Sequence, residues 1–198
     1  MSSAGVVLAA GSSRRMGRPK QLLQIDGRPL LEVVAAMACE SRLDDVVVVL
    51  GAAADEIQER THLGRARVIF NPDHASGMAS SLRLGLAALS PRVDRAVVIL
   101  GDQPDISAAL LNQLLDLQAS SGMPAAALEF EGVTHPPVVL ARELWADVMA
   151  LEGDVGCRAV IRGKPEQVAR LPHSTGHHHP IDVDTPEDYE RITRLVTG

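Results

Sequence analysis

Four short runs of nearly uninterrupted β-branched and aliphatic residues, each followed by a stretch with helical spacing, restrict this chain to few folds. Val6-Val7-Leu8, Val46 to Leu50, Val68-Ile69-Phe70 and Ala96 to Leu100 lack the polar alternation of a half-exposed strand. Strands that are apolar on both faces are covered on both faces, the habit of parallel sheets. The stretches at about 29–41, 54–61, 78–89 and 107–120 read as helices, with Leu82, Leu86 and Leu89 recurring along one stripe. This order predicts an open α/β sheet whose ligand crevice lies beyond the carboxyl ends of its strands.

After residue 122 the rhythm loosens. Ala125–Phe130 and Pro137–Leu140 read as strands meeting around Glu131-Gly132, followed by helices near 141–151 and 155–162. A last strand is expected near 180–183, running into a helix that opens at Pro186. The 198 residues suit one domain, 1–198, with a small subdomain around 122–165.

Composition removes several classes of function. A net charge of −6 gives little purchase on nucleic-acid phosphates. The aromatic residues are Phe70, Phe130, Trp145 and Tyr189, too few for a base-stacking platform. No apolar stretch is long enough to span a bilayer, and Arg14-Arg15 follow the first apolar run instead of preceding it, unlike a secretory signal. Cys39 and Cys157 form no disulfide framework or metal spacing, so a cytoplasmic location is expected.

The charge is unevenly spread. Residues 1–25 contain Arg14, Arg15, Arg18 and Lys20 and no acid. These cations lie in Ala10-Gly11-Ser12-Ser13-Arg14-Arg15-Met16-Gly17-Arg18-Pro19-Lys20, directly after a predicted strand. Small residues let backbone N–H groups approach an anion, Lys20 offers a point contact to phosphate, and Arg15 can fork onto two oxygens. The spacing fits neither a Walker A loop nor the dinucleotide fingerprint. A solvated basic turn would look the same.

Two acidic segments sit where a strand meets a helix. Gly101-Asp102-Gln103-Pro104 ends the run 96–100, so Asp102 is placed at the crevice, although a plain Asx turn would also explain it. In Asp182-Val183-Asp184-Thr185-Pro186-Glu187-Asp188, Thr185 to Asp188 make a capping-box helix start, which leaves Asp182 and Asp184 unexplained. Of these two, Asp184 is the preferred partner of Asp102. Two carboxylates about 4 Å apart repel by about 4 kcal/mol at an effective dielectric near 20, so their convergence would call for a cation.

Leu8-Ala9-Ala10-Gly11-Ser-Ser-Arg-Arg15-Met-Gly-Arg-Pro-Lys20 resembles the signature loop of the MobA-like nucleotidyltransferases, and most nearly that of the molybdenum cofactor cytidylyltransferases. The similarity runs in order through 8–23, 71–86, 101–104, 132–162 and 182–190. It implies a Rossmann-like three-layer α/β sandwich with a mostly parallel mixed sheet, of the nucleotide-diphospho-sugar transferase type. It further implies transfer of CMP from CTP to the phosphate of molybdopterin, with release of pyrophosphate. By resemblance Leu8, Ala9, Ala10, Gly11, Arg15 and Lys20 bind the nucleotide, with Ala10 pointing to cytidylyl transfer. Arg15, Lys20 and Asp102 would be catalytic, and Asp102 and Asp184 would hold Mg²⁺.

Asn71, Gly77 and Ser81, in the segment Asn71–Ser81, would lie near the base, with Gly85 and Leu86 completing the motif. His135 and Arg158, within 132–162, would face the second substrate. Each has a plainer alternative: Ser76 as an ordinary helix cap, His135 as a loop histidine, Arg158 in a surface ion pair, His177–His179 as a solvated run, and Cys157 as an inert buried thiol. The implied partners are CTP and molybdopterin, with a molybdoenzyme or its chaperone receiving the product; nucleic acid and membrane are not expected, and a monomer is. Guanylyl transfer, another acceptor such as a sugar phosphate, or a non-catalytic nucleotide or cofactor carrier are the competing readings.

Overall fold

The computed structural model describes residues 1–13, 16–172 and 182–197. A seven-stranded sheet forms its middle layer, its strands lying side by side in the order 67–70, 45–50, 3–9, 95–100, 133–141, 125–130 and 168–172. In chain order the elements are β1 (Ser3–Ala9), β2 (Gln24–Ile25), β3 (Arg28–Pro29), α1 (Leu30–Glu40), β4 (Asp45–Leu50), α2 (Ala54–Arg60), β5 (Arg67–Phe70), α3 (Met78–Ala87) and β6 (Arg95–Leu100). They continue with α4 (Ala108–Ser121), β7 (Ala125–Phe130), β8 (Val133–Ala141), α5 (Trp145–Met149), α6 (Arg158–Gly163), β9 (Val168–Pro172) and α7 (Pro186–Thr197). β8 runs antiparallel to β6 and β7, while the other pairings in this sheet are parallel. The mostly parallel mixed sheet expected from the sequence is what forms.

Successive side chains of a strand point to opposite faces, and each face has its own apolar layer. Val7, Val46, Val48, Val97 and Ile99 pack with α1, α2 and α4. Val6, Val47, Val49, Ala96 and Val98 pack with α3, α5 and α6. Burial of both faces is why the runs in β1, β4 and β6 carry no polar residue, whereas β5, at the sheet edge, is only half-buried and leaves Phe70 exposed. Gly85 lets α3 approach the sheet closely, because a Cβ there would collide with the Val6 side chain. Its place in the motif is therefore one of packing. No helix among the described residues is long and apolar enough to cross a membrane.

Several boundaries differ from expectation. β9 is a strand the sequence does not announce, being short, Val-Ala-Arg-Leu-Pro, with a mixed pattern. Of the strand expected near 180–183, residues 182 and 183 are described and are not in a strand; 180 and 181 lie outside the described residues. β8 begins at Val133, ahead of the expected Pro137, and carries a cis Pro136-Pro137 bond. The helix expected near 141–151 is a 3-10 turn over Arg142–Leu144 followed by α5. Ser107 caps α4, accepting from Leu110 N–H at 3.2 Å.

The capping box before α7 forms as its sequence indicates. Asp188 N–H donates to Thr185 Oγ1 at 3.2 Å, and Thr185 N–H donates to Asp188 Oδ2 at 3.0 Å. Thr185→Ala should lower stability by about 1 kcal/mol, read as the shift of the urea midpoint at constant slope. An unchanged midpoint would show that the cap contributes nothing.

The fold determines where a ligand can sit. From β1 the chain passes to β4 on one side and later returns to β6 on the other, so the strand order reverses at β1. Outside the carboxyl ends of β1 and β6 this leaves a crevice. The β6–β8 register stops at Val98↔Val138, so Ile99 to Asp102 project past the end of that pairing.

Candidate active site

A cleft of about 610 Å³ opens at that crevice. One wall is the end of β1 and its loop, Leu8 to Ser12 with Lys20 and Gln21. A second is the start of α3, His74 to Met78 with Ser81. The end of β6, Leu100 to Asp102, forms the floor, and Asp182 and Asp184 close the far side, with Asp154 at the α3 wall.

The β1 loop is braced from within. Gln21 is buried and donates from Nε2 to the carbonyls of Ala9 at 2.8 Å and Gly11 at 3.2 Å. Lys20 N–H donates to Ser13 Oγ at 3.0 Å, folding the loop back on itself. Gly101 N–H donates to Leu8 C=O at 2.9 Å, joining the loop to the end of β6. Lys20 is thereby aimed across the floor of the cleft.

Its ammonium lies between two carboxylates. Lys20 Nζ is 2.5 Å from Asp102 Oδ2 and 2.7 Å from Asp184 Oδ1. The lysine and Asp102 side chains are 15% and 16% exposed, Asp184 50%. Burial alone would lower the Lys20 pKa; the Asp102 and Asp184 charges and hydrogen bonds outweigh it, and the net direction is up. The group therefore stays an ammonium throughout the neutral range. Asp102 Oδ1 is buried and has no hydrogen-bond partner.

Asp182 is next to this pair but differently held. It accepts from Gln103 Nε2 at 2.7 Å. Desolvation pushes its carboxyl pKa up, as do the Asp102 and Asp184 charges, with partial relief from the Gln103 hydrogen bond. Among the described residues no three His, Cys, Asp or Glu side chains form a preformed metal cage. A hard divalent ion that uses one or two carboxylates and completes its shell with phosphate oxygens and water needs no such cage. The orphaned Asp102 oxygen and an ammonium held between two acids fit that demand, with Asp102 and Asp184 as the donors.

The sequence matches the MobA-like NTP transferase domain over residues 5–175. The chain belongs to that family. It is 36% identical to the nicotine blue oxidoreductase of Paenarthrobacter nicotinovorans, with 95% of each chain covered. Among solved structures, a homologue of Rv0371c from Mycobacterium sp. strain JC1 superposes with a TM-score of 0.87 at 34% identity, covering 98% of this chain and 96% of that one. Rv0371c from Mycobacterium tuberculosis, in complex with manganese, does so with a TM-score of 0.84 at 28% identity, covering 98% and 99%. The expected Rossmann-like nucleotidyltransferase fold is thus the observed one.

In this MobA-like chain, Leu8, Ala9, Ala10, Gly11, Lys20, Gly77, Ser81, Asp102 and Asp184 all line the cleft, together with Asp182. Arg15 and His177–His179 lie outside the described residues. Asn71 is one layer behind: it is buried and donates from Nδ2 to Ser80 Oγ at 2.8 Å and Ser81 Oγ at 2.9 Å. His135 is on β8 opposite Leu128, and Arg158 begins α6 with its Nε buried and unpartnered; neither is among the lining residues. The Cys157 thiol is buried and pushed up to about 12, an inert group.

Ser76 does not cap α3; it bonds Asp73, and Gly77 occupies the cap position. Gly77 has φ +110°, and a Cβ there would run into the Gly153 backbone. Ala79 N–H donates to Gly153 C=O at 3.1 Å, so the 153–156 segment docks on the start of α3. Gln21, His74, Met78 and Asp154 were missed as lining residues. His74 and Met78 lie within the Asn71–Ser81 segment and Gln21 beside Lys20, but neutral and apolar side chains carry little motif weight.

Proposed function

We propose that this chain moves CMP from CTP to the terminal phosphate of molybdopterin, as its molybdenum complex, and releases pyrophosphate, with Mg²⁺ as the divalent ion. The observation that carries this reading is the Lys20 ammonium held between Asp102 and Asp184, groups 82 and 164 residues away in sequence, at the mouth of the β1 loop. Carboxylates that converge on one cation beside a glycine-containing anion loop suit a metal-bound triphosphate. That the related Rv0371c forms a complex with manganese supports a divalent ion as part of this reading. The relative named an oxidoreductase is similar over 95% of its length. Two acids about one ammonium beside an anion loop, in a chain without the dinucleotide fingerprint, favour nucleotidyl transfer over hydride transfer here.

In the proposed reaction an oxygen of the acceptor phosphate attacks the α-phosphorus of CTP in line, the new P–O bond forms, and the bond to the β-phosphate breaks. No protein nucleophile is required, so catalysis is positioning and charge stabilisation. Asp102 and Asp184 would hold the metal, which supplies neutralisation of the crowded phosphate oxygens. Lys20 and Arg15, from the same loop, would bind phosphate oxygens. Ala10, Gly11, Gly77 and Ser81 would frame the nucleoside, with Asn71 orienting Ser81. The start of β8 with His135 and the start of α6 with Arg158 are the acceptor side, in the region 122–165.

Turnover with CTP and with GTP, each with molybdopterin or a sugar phosphate as acceptor and read as pyrophosphate release, tests this reading. CTP with molybdopterin should be roughly tenfold or more faster than the other combinations, since a site built to hydrogen-bond one base rejects the other. Preferred GTP or a preferred sugar phosphate would move the assignment within the family. Binding of CTP with Mg²⁺ but no pyrophosphate release from any combination would make the protein a carrier.

A further inference from the structure

Gln103 is buried, 1% exposed, and directly follows Asp102. Its Nε2 donates to Asp182 Oδ1 at 2.7 Å, while Val183 N–H donates to Asp102 C=O at 3.1 Å. These two bonds cross between the same two segments in opposite directions. They fasten the turn after β6 to the stretch before α7, and Asp102 and Asp184 lie at the margins of that fastening. The carboxylates reach one cation because the backbones that carry them are joined here.

The choice of glutamine at this position is informative. Its Oε1 is buried with no hydrogen-bond partner. Leaving an acceptor dry is a cost that leucine or methionine would avoid at similar volume, so the Nε2 bond is what glutamine adds. One Asp182 oxygen is committed to that bond, and Lys20 bonds Asp102 and Asp184, not Asp182.

We infer that Gln103 is a positioning residue: it holds Asp182 as an anchor rather than as a metal ligand, and so sets the separation of Asp102 and Asp184. The inference rests on the reading that those two carboxylates take a divalent ion. An anchor needs only an acceptor oxygen, whereas a ligand needs its charge. Asparagine at 182 keeps the first and removes the second.

Mn²⁺ binding to the whole chain, followed by the paramagnetic signal of the free ion, separates these roles. Gln103→Leu and Asp182→Ala should each weaken Mn²⁺ binding about tenfold, as expected for groups that orient ligands, while Asp182→Asn loses less than about threefold. The double variant Gln103→Leu/Asp182→Ala should bind no worse than the weaker single, because both changes break one bond. Wild-type affinity in Gln103→Leu, losses that add in the double variant, or Asp182→Asn falling as far as Asp182→Ala would each overturn the inference. If Gln103→Leu does not fold, the Asp182→Ala and Asp182→Asn comparison decides alone. Pyrophosphate release by the wild type is scored separately: the expected Mn²⁺ ordering without any release would defeat the transferase reading and leave the anchor standing.

Discussion

Asp102→Asn should release pyrophosphate from CTP about a thousandfold more slowly than the wild type, the scale expected when a group that neutralises phosphate charge is lost. Its fold should survive. The tie from Val183 N–H to Asp102 uses the backbone carbonyl, and Gln103 to Asp182 does not involve the Asp102 side chain. Asparagine keeps the shape of the side chain, and Lys20 retains Asp184 as a partner at 2.7 Å. A circular dichroism melt should therefore lie within a few degrees of the wild type, a few degrees corresponding to about 1 kcal/mol at this chain length. Full turnover in this variant would remove Asp102 from the chemistry.

Lys20→Met should have two opposite effects. Turnover should fall by about the same thousandfold, because the cation proposed to bind phosphate is gone. Binding of Mn²⁺ to the free protein should become tighter by about tenfold, since no ammonium competes for the two acids and their repulsion awaits a cation. Without metal the variant should be less stable by about 2 kcal/mol, the cost of leaving a partly buried acid pair unpaired, discounted for the exposure of Asp184. Added Mn²⁺ should restore that stability by mass action. Calorimetric titration and melting with and without Mn²⁺ measure both effects. Weaker Mn²⁺ binding in this variant would mean that Lys20 supports the metal site instead of standing in for the ion.

What the sequence revealed follows from how much each feature depends on local chemistry. The runs at Val46–Leu50 and Ala96–Leu100 are buried on both faces, so their composition alone declares them strands. β9 is short and carries Arg170 and Pro172, and only its parallel pairing with β7 makes it a strand. Sheet order was not legible, because the insertion of antiparallel β8 between β6 and β7 is a matter of long-range packing. Asp102 is legible as an acid at a predicted strand end, Lys20 as the last cation of an acid-free loop, and Asp184 as an acid that the helix cap leaves unexplained. Gln21 and Gln103 brace the same site, but an amide contributes only through partners far away in sequence, such as Asp182 for Gln103. Gly77 is legible as a small residue near a ligand, while its positive φ and its contact with the 153–156 segment emerge only in three dimensions.

The location of a bound ion bears most directly on the whole account. Crystals of the protein grown with CTP and Mn²⁺, with the ion found by its anomalous scattering, should place Mn²⁺ between the Asp102 and Asp184 carboxylates, with the Lys20 ammonium moved onto a phosphate oxygen. Manganese bound elsewhere, with Lys20 still bridging the two aspartates beneath the nucleotide, would contradict it.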